Sequence, residues 1–190
     1  MDKKYKIVSQ LGDKGKEART FLVEDKFKCM YAGKQFRKNK SEDKIIEEIN
    51  HQRKCSTFLI SPKIVDYNLT DKYIVMETMN KHLYQLIVEN GGILSSHHQK
   101  EIVKLMQTLD SLKLFQEDPN LLNYMMKNGK IYMIDFGMVK DFSNHRLKTK
   151  KPNIEIGLLG FILKMKEIGF PPTSYSELKE YLRVEQQVLL

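Results

Sequence analysis

The sequence predicts an α+β chain, and three observations carry that prediction. Strand-like apolar runs cluster before residue 80, helical periodicity dominates after it, and a single late hairpin centres on Asn128-Gly129. With 41% apolar residues in 190, there is enough material for one compact domain or for two small lobes sharing a cleft.

Taken in order, "YKIVSQLG" and "RTFLVED" read as strands flanking a Gly-containing turn, and "KCMYAGKQF" follows as a third. "SEDKIIEEINHQRKC" reads as a helix. Ser41 is its expected cap, and Glu42 and Asp43 lie at the positive end of the dipole. At 100° per residue, Ile45, Ile46 and Ile49 define its buried face, with Glu48 bordering that face and Glu47 nearly opposite. "PKIVDYNLT" and "KYIVMETM" are two more strand-like runs. From "KHLYQLIVEN" the chain turns helical, and Gly91-Gly92 ends that segment. "SSHHQKEIVKLMQTLDSLKLF" repeats Ile102, Leu105, Met106, Leu109 and Leu112 at a helical period. After the hairpin and a polar stretch over 140–153, "IEIGLLGFILKMKEIGF" reads as an apolar helix stopped by Pro171-Pro172. "SYSELKEYLRVEQQVLL" is a short amphipathic finish. The natural hinge lies around residues 77–82, giving a lobe of about 1–79 and a second of about 80–190.

Lys and Arg exceed Asp and Glu by 8. That balance favours anionic partners such as nucleotides, nucleic acid or acidic peptides. The lysines are spread along the chain, and only "RLKTKK" (146–151) is a dense run. No apolar run approaches the ~20 residues that span a bilayer, so no membrane partner is expected. The start, MDKKYKIVSQ, has no signal-peptide core. Cys29 and Cys55 are too few for a disulfide framework, and no CxxC suggests zinc. An intracellular location, cytoplasmic or nuclear, is the expectation. Both cysteines are expected to be buried small apolar residues, His97-His98 a solvated helix start, and the ten methionines core filler.

The hairpin carries the chemistry. A two-residue turn at Asn128-Gly129 pairs Lys127 with Lys130, Met125 with Tyr132 and Asn123 with Ile134. Asn123 and Asp135 are then diagonal neighbours. A strict pleat points them to opposite faces, but Gly137 predicts a strand break that lets Asp135 swing beside Asn123. An amide oxygen and a carboxylate with room for water suit Mg²⁺. Asp118, five residues before Asn123, is placed to accept a proton from an attacking hydroxyl. The competing reading is an ordinary hairpin with Asp and Asn as turn formers.

Asp118, Asn123 and Asp135-Phe136-Gly137 together resemble the catalytic core of protein kinases. "LGDKGKEARTFLV" resembles a Gly-rich phosphate loop with one extra residue, with Gly12, Gly15 and Ala18 at its three glycine positions. "YAGKQF" resembles the strand bearing the ATP-contacting lysine, which makes Lys34 that residue and Glu48 its helix partner. "IVMETMNKH" resembles the hinge strand, with Met76 as gatekeeper and the backbone of Glu77 and Met79 against adenine. The resemblance covers roughly residues 5 to 165. It implies a protein-kinase-like two-lobe fold with a small β-rich N-lobe and a truncated helical C-lobe. It also implies ATP and Mg²⁺ as cofactors, and transfer to serine or threonine hydroxyls of a protein substrate, including the chain itself.

The chain departs from that pattern in several places. The usual His-Arg-Asp is Gln116-Glu117-Asp118, so a brace of the catalytic loop and the clamp for a phosphorylated loop are expected to be missing. Asn120 stands where a γ-phosphate lysine is usual; Lys140 or a lysine of 148–151 is the expected substitute. Glu155 stands where the central helix usually carries Asp. No Ala-Pro-Glu follows, and the helices of a peptide platform are not in the sequence. In this the chain is similar to minimal atypical kinases, the RIO family and the small kinase of the KEOPS complex, and to small kinase-like proteins of large DNA viruses. A homodimer completing the shortened lobe is one arrangement this allows. The alternative function is a non-catalytic pseudokinase that binds nucleotide or a partner, and a basic nucleic-acid adaptor ranks last.

Overall fold

The protein, seen here as a computed structural model, is α+β. The structure describes residues 4–12, 15, 17–142 and 151–188, with side chains to residue 182. Of the 146–151 basic run, all but Lys151 lies outside the described residues. The chain divides into two compact units, Met1–Met79 and Asn80–Leu190.

Among its described residues the first unit is a five-stranded antiparallel sheet in the order β1-β2-β3-β5-β4, with one helix. Its strands are β1 (Lys6–Leu11), β2 (Ala18–Glu24), β3 (Met30–Phe36), β4 (Ile64–Asn68) and β5 (Tyr73–Met76). Helix α1 (Glu42–Ser56) starts at Ser41, whose side chain accepts the Lys44 N–H. It buries Ile45 and Ile49 against Ala18, Phe36, Ile64, Ile74 and Met76. Ile46, expected on that face, is exposed. The buried stripe instead continues through Glu48, Gln52 and Cys55, because a carboxylate and an amide occupy positions that the periodicity gave to apolar residues. On the opposite sheet face, Val23, Tyr73 and Val75 pack with Tyr5, Phe21 and Tyr31.

Among its described residues the second unit has four α-helices: α2 (Leu83–Glu89), α3 (Ser96–Ser111), α4 (Leu158–Glu167) and α5 (Ser176–Val188). Among them lie a three-stranded sheet, β6-β8-β9, and a two-stranded ladder of β7 with β10. These strands are β6 (Lys81–His82), β7 (Leu114–Gln116), β8 (Tyr124–Lys127), β9 (Lys130–Met133) and β10 (Val139–Asp141). Ile102, Leu105, Met106 and Leu109 of α3 are buried as their spacing predicts. "KLF", expected to continue that helix, instead turns at Lys113 (φ 59°) into β7, whose partner β10 lies far along the chain. The expected helix at 154 opens as a wide π-turn over Asn153–Gly157 before α4. No helix of the described residues is long and apolar enough to cross a membrane.

Candidate functional site

In the first unit, β3 and α1 bring Lys34 and Glu48 together. Lys34 Nζ lies 2.5 Å from Glu48 Oε1, and the two side chains are 12% and 1% exposed. The pairing follows from geometry: Lys34 faces the helix from mid-strand, and Glu48 sits one turn in from Ile45 on the inward stripe. A charge this buried requires an opposite partner. Glu48 has a second one. Its Oε2 receives Lys40 Nζ at 3.1 Å, and that lysine also meets Glu17 Oε2 at 2.6 Å. Glu47 points outward and pairs with Lys44.

The turn after β1 places Gly12 at φ 65°, a conformation that favours glycine. A side chain on Gly15 would press to 3.0 Å from the Ala18 carbonyl. Arg37 holds this segment, its Nη2 donating to the Gly15 carbonyl and its backbone N–H to that of Glu17. At the other edge, the Glu77 backbone N–H donates to the Lys63 carbonyl, and the Glu77 carboxylate accepts the Lys63 N–H. Met76 is buried against Gln52, and Met79 is the last residue of the unit.

In the second unit, Asn128 (φ 51°) and Gly129 (φ 75°) form the tight turn of the β8–β9 hairpin, in the register Lys127↔Lys130 to Tyr124↔Met133. The first half of "LLNYMM" is not strand: Leu121–Asn123 is a 3₁₀ turn capped by the Asn120 side chain. The Ile134 N–H donates to the Asn123 carbonyl at 2.8 Å, so Asp135 lies one residue beyond the partner of Asn123. Asp135 has φ 60°, which breaks the pleat there. Its carboxylate accepts the Gly137 N–H.

Asp118 and Asn123 touch directly. Asn123 Nδ2 donates to Asp118 Oδ2 at 3.0 Å and to its backbone carbonyl at 3.3 Å. With Nδ2 so engaged, the amide oxygen is the atom of Asn123 able to ligate a cation. Asp118 Oδ1 accepts the Asn120 N–H. This brings Asp118, Asn123 and Asp135 to one end of one hairpin. One carboxylate with one amide oxygen fits Mg²⁺, which keeps waters and takes phosphate oxygens as its remaining ligands. Among the described residues, no group of three or more His, Cys, Asp or Glu suits a metal ion.

The segment bearing Asp118, expected to lack a brace, is braced by Gln116. Gln116 is buried, its Oε1 accepting the Asp118 N–H and its Nε2 donating to the Asp135 carbonyl. The Gln116 N–H in turn donates to Asn153 Oδ1. Asn153 is fully buried, and its Nδ2 donates to Asp110 Oδ1 at 2.7 Å and to the Leu114 carbonyl at 2.6 Å. Burial pushes the Asp110 carboxyl above its ordinary value, against the donors from Asn153 and Ile154. The residue of the 153–157 turn that supports the loop is thus Asn153 and not Glu155. Lys140, expected near a phosphate, pairs with Glu117 at 2.8 Å.

Sequence reasoning missed Lys40 and Asn153, and read Gln116 as a lost brace where it supplies one. Lys40 resembles any other lysine of a basic chain, while Gln116 and Asn153 act through long-range backbone bonds that leave no local spacing. No family model and no curated protein matches this chain.

Proposed function

We propose that this protein is an ATP- and Mg²⁺-dependent phosphotransferase acting on serine or threonine hydroxyls, its own included. In the same reading, its fold is a minimal protein-kinase-like one with a small β-rich N-lobe and a truncated helical C-lobe. The observation that carries the reading is the buried Lys34–Glu48 pair. A lysine held by a buried glutamate is pre-positioned for phosphate, at a desolvation cost that a purely structural role does not require.

Lys34 binds the α- and β-phosphates and Glu48 orients it. The turn bearing Gly12 and Gly15 covers the phosphates, and the backbone of Glu77 and Met79 meets the adenine edge. Asn123 and Asp135 hold Mg²⁺, which neutralises charge on the phosphates when bound. Asp118 orients the acceptor hydroxyl and takes its proton. Positioning and charge neutralisation supply most of the rate in such transfers.

The decisive experiment follows γ-phosphate from radiolabelled ATP onto the chain itself or a generic basic protein, with Mg²⁺ present and absent. Mg²⁺-dependent transfer that Lys34→Met and Asp135→Asn both abolish supports the assignment. Transfer unchanged in either variant overturns it. A second reading, a nucleotide- or partner-binding pseudokinase, is favoured by Asn120 serving as a turn cap and Lys140 being paired with Glu117. Thermal stabilisation by Mg-ATP without any transfer identifies that case.

A further inference from the structure

We propose that Lys40 is a second anion-binding residue beside Lys34, and that the Glu17 carboxylate holds the place a phosphate oxygen takes when a polyphosphate binds. The identity of that polyphosphate as part of a nucleotide rests on the function proposed above; the exchange itself does not.

Two ammonium groups share one buried carboxylate here. Lys34 and Lys40 take the two oxygens of Glu48, and both lie over the Phe36 ring, at 5.3 and 4.9 Å from its centroid. The Lys40 side chain is only 10% exposed, so its charge needs compensation beyond half of Glu48. Glu17 provides it from a side chain that is 62% exposed. An exposed carboxylate loses little when it returns to water. A phosphate carries more charge and more acceptor oxygens, and is the stronger ligand for the same ammonium.

The surroundings are built for exchange without unfolding. Lys72 Nζ donates to the carbonyls of Lys38 and Lys40 at 2.6 and 2.8 Å, which fixes the connector that carries Lys40. The Lys40 N–H donates to the Arg37 carbonyl. Arg37 separately holds the carbonyls of Gly15 and Glu17. The Glu17 side chain can therefore rotate away while its backbone stays in register. Glu48 remains bound to both lysines throughout.

The experiment is calorimetric titration of the full chain at fixed ionic strength with two probes, ATP and inorganic tripolyphosphate. Glu17→Gln removes the internal competitor and is expected to tighten both probes severalfold, up to about tenfold. Lys40→Met is expected to weaken both by roughly tenfold or more, and in the double variant the gain from Glu17→Gln disappears. If Lys40 merely positions Glu48, Glu17→Gln leaves affinity unchanged or weakens it, which overturns the proposal. Glu17 is exposed, so this arm stands even where Lys40→Met fails to fold. Lys40-dependent tripolyphosphate binding with no preference for ATP supports the exchange and removes the nucleotide reading. ATP binding that ignores both substitutions removes the exchange and leaves the nucleotide reading intact. Failure of both probes to bind overturns both.

Discussion

The Gln116 side chain ties Asp118 to Asp135: its amide oxygen accepts the N–H of one at 3.2 Å, and its amide nitrogen donates to the carbonyl of the other at 3.2 Å. A neutral amide thus braces both ends of the proposed site. Gln116→Leu strands both backbone groups in a buried place, and is expected to lower stability by about 2 kcal/mol in urea unfolding. Phosphate transfer is expected to fall further than that loss of folded protein explains, since both tethered residues belong to the proposed site.

Asp135 combines the carboxylate proposed to hold Mg²⁺ with a left-handed backbone. Asn tolerates that conformation better than Ala does. Asp135→Asn is therefore expected to keep the wild-type unfolding midpoint while losing transfer, whereas Asp135→Ala is expected to lose about 1 kcal/mol of stability as well. Equal midpoints for the two variants would show that the backbone there is not strained.

The hydroxyl of Tyr124 is buried without a hydrogen-bond partner, while its ring stacks edge-on against Phe161. Burial, with the nearby Asp118 charge, holds its ionisation well above the ordinary value. Tyr124→Phe keeps the ring and removes the stranded group, so denaturant unfolding is expected to show a gain of about 1 kcal/mol. A loss would reveal an internal water bonded there.

The two thiols separate cleanly. Cys29 is exposed, against the expectation of burial for both, because it lies in the turn between β2 and β3, which the Asp25 side chain closes. Cys55 is fully buried, and desolvation pushes its thiol up to about 12. A thiolate-selective reagent at pH 8 is expected to modify Cys29 in the native chain and Cys55 only after unfolding.

Burial holds the His82 imidazole below its ordinary value of 6.5, against a bond to the Leu122 backbone that favours the charged form. The folded chain thus binds this proton more weakly than the unfolded chain does. The contribution of His82 is present above pH 6.5 and is lost as pH falls below it. A pH series of thermal midpoints should decline below that point, and His82→Gln should flatten the decline. Unchanged slopes would assign it to other groups.

Local signals were legible and long-range ones were not. The Asn128-Gly129 turn, the Ser41 cap and the α3 stripe are dictated by residues within a few positions of each other, and each forms as its sequence predicts. β7 could not be read, because a three-residue strand is defined only by its partner β10. The place of Glu48 followed from helical angle, but the exposure of Ile46 did not, since a buried carboxylate displaced the apolar stripe toward itself. Asp118, Asn123 and Asp135 were singled out by their spacing around the hairpin together with the family resemblance. Gln116, the amide that holds the first and last of them, and Asn153, which holds the Gln116 N–H, belong to no pattern.

Gly160 of α4 lies under Pro119: a methyl group on it would meet the proline ring at 3.0 and 3.2 Å. The residue after Asp118 thus rests on a bare spot of α4. The reach of the carboxylate is set there by thickness, as a shim sets a bearing. One added carbon at 160 would tilt the loop without altering any charge or hydrogen-bonding group, and trimming Pro119 would be its natural suppressor.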